Sequence, residues 1–536
     1  MTKDGVLVME NKNVFNGFLK TQGTRIVNDA GDEVLLTGWG LGNWLLCEGY
    51  MWMSMGSTRF DRPHRIEQVI QELIGKKDAT HFWQEFLDHY ITEADIKHMK
   101  DLGYNSVRIP FNWRHFFEDE PGLVWKELGF ELIERCVKWC EKYELYAFLD
   151  LHGAPGGQTG ANIDDCVDDV PRLFIDEDPW HKALALWEEL AIRYKDNPTI
   201  GGYDLLNEPI RPAHGDMVNY DYLVPKLIQF YEEAIARIRK HDANHLISIE
   251  GHHWATSAAV FDRKYDDNYI IHFHRYACLP ERASLDEWLA LSEKWEAPLW
   301  LGETGENKPE WFAAFYPLSL EYGIGYNLWP YKKMGKDNCP ITVKTPAGWE
   351  QIIDYTKGGP HPGYDVAKRL LDEYLDNIKF ANCQLNQAIT NHTFRTVPYT
   401  IRATDFDEHD FVGNSEDGAF NYRVGTGLNI VEEWERGENQ FAFDTQWDRF
   451  LLELNVGEMV SYNVHAAPNG SVVVLTGIAD TKAVVSISQN GNQGLEKEIT
   501  KTGEFTLELD LLVAERVDVQ VTVSSGTIKL RKVEFK

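Results

Sequence analysis

Residues 104–153 read YNSVRIPFNWRHFFEDEPGLVWKELGFELIERCVKWCEKYELYAFLDLHG. Two short apolar runs, YNSVRIPFNW (104–113) and LYAFLDLHG (145–153), each end in polar residues. Between them KELGFELIERCVKWCEKY (126–143) brings back an apolar residue every three or four positions. The pattern is strand, helix, strand. It extends in both directions, with further strand-like runs at EVLLTGWG (33–40), IGGYDLLNEP (200–209), HLISIEG (245–251), NYIIHFHRY (268–276), APLWLGETG (297–305) and GIGYNLWPY (323–331), making eight. Helical spacing recurs at 91–103, where Thr92 is placed to cap and Gly103 to stop, and at 183–197, 222–241 and 286–295. Eight buried strands alternating with helices predict an α/β fold closed into a (β/α)8 TIM barrel, whose functional groups sit at the C-terminal ends of the strands. A doubly wound open sheet alternates in a similar way, but no GxGxxG follows an early strand.

The pattern changes near residue 400. From Thr400 onward short alternating runs such as MVSYNVHA, SVVVLTGIA, RVDVQVTV and TIKLRKVEF, broken by NG, GNQG and SSG turns, predict an antiparallel β-sandwich. The expected organisation is a barrel over 1–384, a linker over 385–399 and a sandwich over 400–536. The 536 residues are 43% hydrophobic, enough for more than one core, and carry a net charge of −31. That charge argues against nucleic acid and anionic membrane surfaces as partners, since phosphates are bound by basic footprints. Aromatic residues make up 12% of the chain, which suits stacking on sugars and equally suits a core. Seven scattered cysteines without a CxxC pair read as reduced thiols. No apolar run approaches the ~18–20 residues of a membrane span. The opening MTKDGVLVMENKNVF lacks the marks of a secretory signal, so a cytoplasmic location is expected, although a removed leader would leave the same appearance.

Polar residues collect where the strands end: Arg108 and Asn112, Asp150 and His152, Asn207–Glu208–Pro209, then His272, His274 and Tyr276, Glu303, and Trp329. A barrel brings these to one rim, with Glu208 and Glu303 facing each other across it. Two carboxyl groups ~5–5.5 Å apart are what a retaining glycosidase requires, one attacking the anomeric carbon and the other protonating the leaving oxygen. Like charges so close resist joint ionisation, so one carboxyl stays protonated as the acid. Arg108 beside Glu303 would keep the nucleophile ionised, Asn207 would bond a sugar 2-hydroxyl, and Trp329 would form a flat floor. No cofactor and no metal are expected, because the glutamates supply both proton and nucleophile.

LLNEP, LGETG, VRIPFNW, LDLHGAPG and YNLWPY, with the opening NVFNGFLKTQGTRIVNDAGDEVLLTGWGLGNWL, resemble glycoside hydrolase family 5 over roughly residues 14–380. The resemblance implies Glu208 as acid/base and Glu303 as nucleophile, with Arg108, His152, Asn207, His274, Tyr276 and Trp329 lining the subsite of the cleaved sugar. LDLHGAPGGQTG resembles the exo-β-glucanase branch. Long segments at 44–60 and 153–174 would close a groove into a pocket and favour removal of single sugars or short units. Glu48, Trp52 and Trp180 are further subsite candidates, and Lys332 and Lys333 are placed to reach sugar hydroxyls or an acidic substituent. The C-terminal part resembles family 6 carbohydrate-binding modules, except that Ala403–Thr404–Asp405 has Thr where a calcium-holding Glu is usual. Tyr422 and Trp434 are candidates for a stacking platform.

Each of these residues has a plainer reading. Asn-Glu-Pro also starts helices. Arg108 also suits a buried salt bridge, and His152, His272 and His274 also suit interior histidines, the plainer reading being preferred for His272. Asp164, Asp165, Asp168 and Asp169 could hold a cation but lack EF-hand spacing and read better as a solvated loop. The expected function is a retaining hydrolase of β-linked glucosides or glucans acting on an oligo- or polysaccharide. Endo-acting β-glucanase, cellulase or β-mannan hydrolase activity is the alternative on the same site. Outside that class stand a catalytically silent sugar-binding protein and a metal-dependent hydrolase built on Asp150, His152, His272 and His274.

Overall fold

The computed structural model describes residues 14–412, 423, 426–434 and 449–536. Eight parallel strands close a barrel: β1 Thr37–Gly40, β2 Ser106–Asn112, β3 Tyr146–Gly153, β4 Ile200–Asp204, β5 Leu246–Glu250, β6 Tyr269–Arg275, β7 Leu299–Gly305 and β8 Gly325–Trp329, with β8 pairing back onto β1. Each of the eight predicted runs contains one of them. Apart from Arg275, every residue in these strands is buried, and strands covered on both faces read as continuous apolar runs. The interior is crowded. A Cβ on Gly302 would lie 1.9 Å from His272 Nε2, so only glycine lets that imidazole sit between β6 and β7.

A hairpin, Lys20–Gln22 with Arg25–Val27, precedes the barrel. Leu19 and Ile26 pack there with Tyr146, Phe148, Leu246, Ile270 and Trp300. Thr92 caps helix Glu93–Asp101 as predicted, and the Asp95 side chain answers it in a capping box. Among the described residues no helix is long and apolar enough to cross a membrane.

The chain divides into two compact units. One runs to Arg275 and adds Trp288–Gly305 and Gly323–Leu385; the other comprises Tyr276–Glu287, Glu306–Tyr322 and Asn386–Lys536. Within the stretch read as a linker lies a helix, Gln387–Thr393. The second unit holds two antiparallel sheets built from β9 Tyr399–Arg402, β10 His409–Asp410, β11 Asn429–Glu432, β12 Phe450–Leu454, β13 Met459–His465, β14 Val472–Ala479, β15 Ala483–Gln489, β16 Leu495–Ile499, β17 Gly503–Asp510, β18 Arg516–Ser525 and β19 Ile528–Phe535. The strand orders are β11-β12-β19-β14-β17, with β9 also on β19, and β10-β13-β18-β15-β16. Alternate side chains of β18 and β19 point into the core, the period-two pattern that marked them in the sequence. Helix Pro309–Glu321, which follows β7 in the chain, belongs to this second unit, and its Ala313 lies in the same apolar cluster as the sheet residues.

Candidate active site

Arg108 projects from β2 into the barrel and is fully buried. Its guanidinium is planar and carries five N–H donors, so it can serve several strands at once. Nε donates to Asp204 Oδ2 on β4 at 2.9 Å, and Nη1 to Glu303 Oε2 on β7 at 2.7 Å. Nη2 donates to Glu250 Oε1 on β5 at 3.0 Å and to Asn207 Oδ1 at 2.9 Å, and lies 3.1 Å from Asp150 Oδ2 on β3. One cation thus meets four carboxyl groups. Their environments separate them. Burial pushes the Asp150 carboxyl well above the usual carboxylate range. Burial also opposes ionisation of Asp204, but His272 and Arg108 outweigh it and hold that group well below the usual range.

Glu208 lies beyond the end of β4 with φ of 46°, a left-handed conformation that costs a side-chain-bearing residue free energy and is found where surrounding structure enforces it. Glu250 supplies part of that enforcement, its Oε2 accepting the Glu208 backbone N–H at 2.7 Å. Glu208 Oε1 is 2.7 Å from His274 Nδ1, and one carboxylate oxygen of Glu208, one of Glu303 and a ring nitrogen of His274 all lie within 4.8 Å of one another. Burial disfavours a charged His274, but the carboxylates of Glu250 and Glu303 and the bond to Glu208 hold its pKa well above the ordinary value. His272 lies behind it, Nε2 to Nε2 at 3.0 Å, with its Nδ1 3.0 Å from Ser248 Oγ and 3.1 Å from Asp204 Oδ1. It is an interior, fully bonded histidine.

On the other side of Arg108 the His152 ring stacks on Trp329, with centroids 5.0 Å apart and planes within 9°. Burial draws the His152 pKa down to about 4, which leaves a neutral ring held by Asp150 at 2.8 Å. Asn207 Nδ2 is 3.2 Å from His152 Nε2, and Trp329 Nε1 donates to the Tyr50 hydroxyl at 3.0 Å. Tyr276, the residue after β6, is half-buried. Strands β2 to β8 therefore converge on a compact array of acids, imidazoles and one guanidinium with two carboxylates at its centre, an arrangement equipped for proton transfer and nucleophilic attack.

Residues 72–326 match the family model for cellulase, glycosyl hydrolase family 5. The chain is also similar to a β-xylosidase of Phanerodontia chrysosporium, 32% identical over 299 residues that cover 55% of this chain and 59% of that protein. It is 26% identical to endoglucanase C of Acetivibrio thermocellus over 328 residues, 49% of this chain and 91% of that protein. With a glucan 1,3-β-glucosidase of Candida oleophila it shares 30% identity over 216 residues, 39% of this chain and 48% of that protein. The chain thus spans less than two thirds of the xylosidase and of the glucosidase. Family match and relatives alike support a β-glycoside hydrolase.

Two of the further subsite candidates, Trp52 and Lys332, need correction. Trp52 is fully buried, its ring 4.6 Å from that of Tyr374 and stacked on Phe86, and its Nε1 bonded to Asn43. Segment 44–60 folds inward there against helices Pro63–His89 and Tyr364–Asn377, so this indole is core and not subsite. Lys332 is also fully buried and donates to the Tyr90 carbonyl at 2.7 Å, out of reach of any sugar. Trp180 is half-buried, bonded to Glu233 at 3.0 Å and set against the edge of Phe230, both on helix Val224–Arg239. Glu48 is buried just before the turn Gly49–Trp52, and the Lys333 ammonium lies 5.9 Å from the centre of the Tyr50 ring.

Of the four aspartates in segment 153–174, Asp168 and Asp169 lie exposed, as a solvated loop requires, whereas Asp164 and Asp165 are buried and bonded to protein donors. Asp164 accepts the backbone N–H groups of Gln158, Thr159 and Cys166, and Asp165 takes His64, Asn112 and Arg114. Asp168 and Asp169 pair with Arg172 and Arg62. N–H donors already occupy these oxygens. Sequence reading passed over Glu250 and Asp204, although HLISIEG carries an acid near its end as IGGYDLLNEP and APLWLGETG do, and it passed over Tyr50.

Proposed function

We propose that the barrel is a retaining β-glycoside hydrolase that removes glucosyl or short glucan units from β-linked chains, with Glu303 as nucleophile and Glu208 as acid/base. The observation that carries this is the separation of the two carboxylates, within 4.8 Å at their nearest oxygens. Retaining enzymes hold the pair ~5–5.5 Å apart, whereas inverting ones leave ~6.5–9.5 Å for a water. Arg108 Nη1 donates to Glu303 Oε2 at 2.7 Å and orients that carboxylate, which attacks the anomeric carbon. Glu208 protonates the departing oxygen, with His274 Nδ1 2.7 Å away to hold its carboxyl in place. Esterification then removes the negative charge of Glu303. Glu208, having given up its proton to the leaving group, then deprotonates the water that releases the sugar.

Action at chain ends is supported by the two long segments. Tyr50, from segment 44–60, bonds Trp329, and Gln158, from segment 153–174, donates to the carbonyls of His152 and Asn207 at 2.7 and 2.9 Å. Both therefore border the subsite. The relatives carry xylosidase and glucosidase names as well as an endoglucanase name, so β-1,3, β-1,4 and β-1,6 oligosaccharides together with aryl β-glucosides and β-xylosides form the test set. Single sugars released from one end support the reading, and mid-chain products favour the endo alternative.

For the C-terminal sheets a carbohydrate-binding role rests on resemblance alone. Trp434 is 42% exposed, and Tyr422 lies outside the described residues. Where a calcium would sit, the Arg402 guanidinium bonds Thr404 and Asp405, which argues against a cation there.

Glu303→Ala and Glu208→Ala are each expected to lower kcat by about 10³-fold or more without unfolding the chain. Proton NMR during turnover should show the β-anomer first. Wild-type rates in either folded variant, or an α-anomer as first product, would overturn the assignment.

A further inference from the structure

A second set of ligating side chains lies just past the end of β5. After Glu250 and Gly251 the backbone enters a left-handed turn, with φ of 56° at His253, 57° at Trp254 and 57° at Ala255. The turn sets the His252 and His253 rings side by side, with centroids 4.1 Å apart. Asp221, which opens the short turn Asp221–Leu223, brings Oδ1 to 2.7 Å from His253 Nε2. One ligating atom from each of the three residues lies within 4.8 Å of the other two. His252 is only 5% exposed, yet its Nδ1 meets no hydrogen-bond partner among the described residues. A buried polar atom left in that state costs about 1–3 kcal/mol, so it needs a function or a ligand.

We propose that Asp221, His252 and His253 form a binding site for one divalent transition-metal ion. The donor set decides the class of ion. Two imidazoles and one carboxylate suit Zn²⁺, Cu²⁺ or Ni²⁺, whereas Ca²⁺ and Mg²⁺ require oxygen shells. Three protein ligands leave a further position for water, as in open zinc sites. His253 and Asp221 are 30% and 43% exposed, so an ion can enter from solvent and replace the hydrogen bond between them. The location gives the ion a consequence. The His253 N–H donates to the Ile210 carbonyl at 2.7 Å, and Glu250, two residues before His252, holds the Glu208 N–H. A bound ion therefore braces the loop that carries Glu208. No step of the double displacement passes through it.

Equilibrium dialysis of the full chain against Zn²⁺, followed by metal analysis, tests the site. One equivalent is expected in the wild-type protein, together with a raised thermal midpoint that EDTA reverses. His253→Gln and Asp221→Asn should each weaken retention at least about 10-fold, the lower end of what even outer-shell partners contribute. Glu303→Gln should retain the equivalent, because the neighbouring cluster of Glu208, His274 and Glu303 is a rival location, as is Glu250 with His272 and His274, which the His253 and Asp221 variants leave intact. No retained zinc in wild type, undiminished retention in both His253→Gln and Asp221→Asn, or loss of zinc in Glu303→Gln would overturn the proposal. None of these readouts depends on whether the barrel hydrolyses glycosides.

Discussion

Glu250 uses both carboxylate oxygens on the site: one receives the Glu208 N–H at 2.7 Å, the other Arg108 Nη2 at 3.0 Å, with His274 Nε2 3.5 Å away. It touches no reacting atom in the proposed mechanism and is a positioning residue. Glu250→Gln would leave an amide N–H facing one of two donors, and the left-handed Glu208 backbone would lose its anchor. Misplacing a catalytic group by about 1 Å costs ~10²-fold, so kcat is expected to fall by ~10- to 100-fold while KM changes little. A second effect separates positioning from general damage. Glu250 is the foremost of the carboxylates that raise the His274 pKa, so its neutralisation lowers that pKa. The basic limb of the kcat/KM profile should then move to lower pH. Unchanged kcat with an unmoved limb would remove the role.

At the scale of elements, Asp242 ties β4 to the start of β5. Its carboxylate accepts the Tyr203 hydroxyl at 2.7 Å, the N–H groups of Asn244 and His245 at 2.8 and 3.1 Å, and the His245 ring at 2.5 Å. Burial works against the charge, but the His245 bond and charge outweigh it and hold the pKa down to about 2. A carboxyl group whose folded pKa is depressed contributes stability above its unfolded value and loses it as pH falls through the folded one. Asp242→Asn should therefore cost about 2–3 kcal/mol at pH 7, read from the urea midpoint. The gap to wild type should close between pH ~4 and ~2; a gap that persists at pH 2 would mean that shape, not charge, is what Asp242 contributes. The same scale explains what the sequence disclosed. Barrel strands are covered on both faces, so all eight appeared as apolar runs. Helix Pro63–His89 did not, because Gly75, with φ of 77°, breaks it into halves whose buried residues, Ile66 to Ile74 and Ala79 to Phe86, follow no common stripe. Helix Pro309–Glu321 is apolar nearly all round and contains Pro317, which hides its period. Glu208, Glu303 and Arg108 were legible because strand ends share a rim. The partnership of Glu250 with Glu208 was not, since it joins a side chain to a backbone N–H in a turn that no local pattern encodes. Trp52 misled because a loop tryptophan suggests exposure, and here the loop builds a core of its own.

At the scale of the whole molecule the question is whether the sandwich serves binding or packing. In the chain, helix Pro309–Glu321 lies between β7, which carries Glu303, and β8, which carries Trp329. Within the second unit that helix packs on helix Gln387–Thr393 and on β9, Ala313 enters the sandwich core, and Arg395 Nε donates to the Ala313 carbonyl at 2.8 Å. Trp311, Phe312, Phe315 and Tyr316 are all fully buried. Each large apolar side chain returned to water costs about 1.5–3 kcal/mol, and stability margins are only about 5–15 kcal/mol. A chain truncated after residue 399 loses all of β9 but its first residue, and the sheet core behind it, while keeping the helix that joins two site-bearing strands. It should therefore precipitate or unfold at a lower temperature, and turnover of a small aryl β-glycoside should fall together with turnover of polymer. A tethered binding module predicts a different pattern, because such a module acts by raising effective concentration. In that case the truncated barrel would stay soluble, keep its kcat on the aryl glycoside and lose only affinity for polymer. Measuring both substrates on the truncated chain, with the thermal midpoint alongside, separates the two roles, and preserved small-substrate turnover would refute the packing argument.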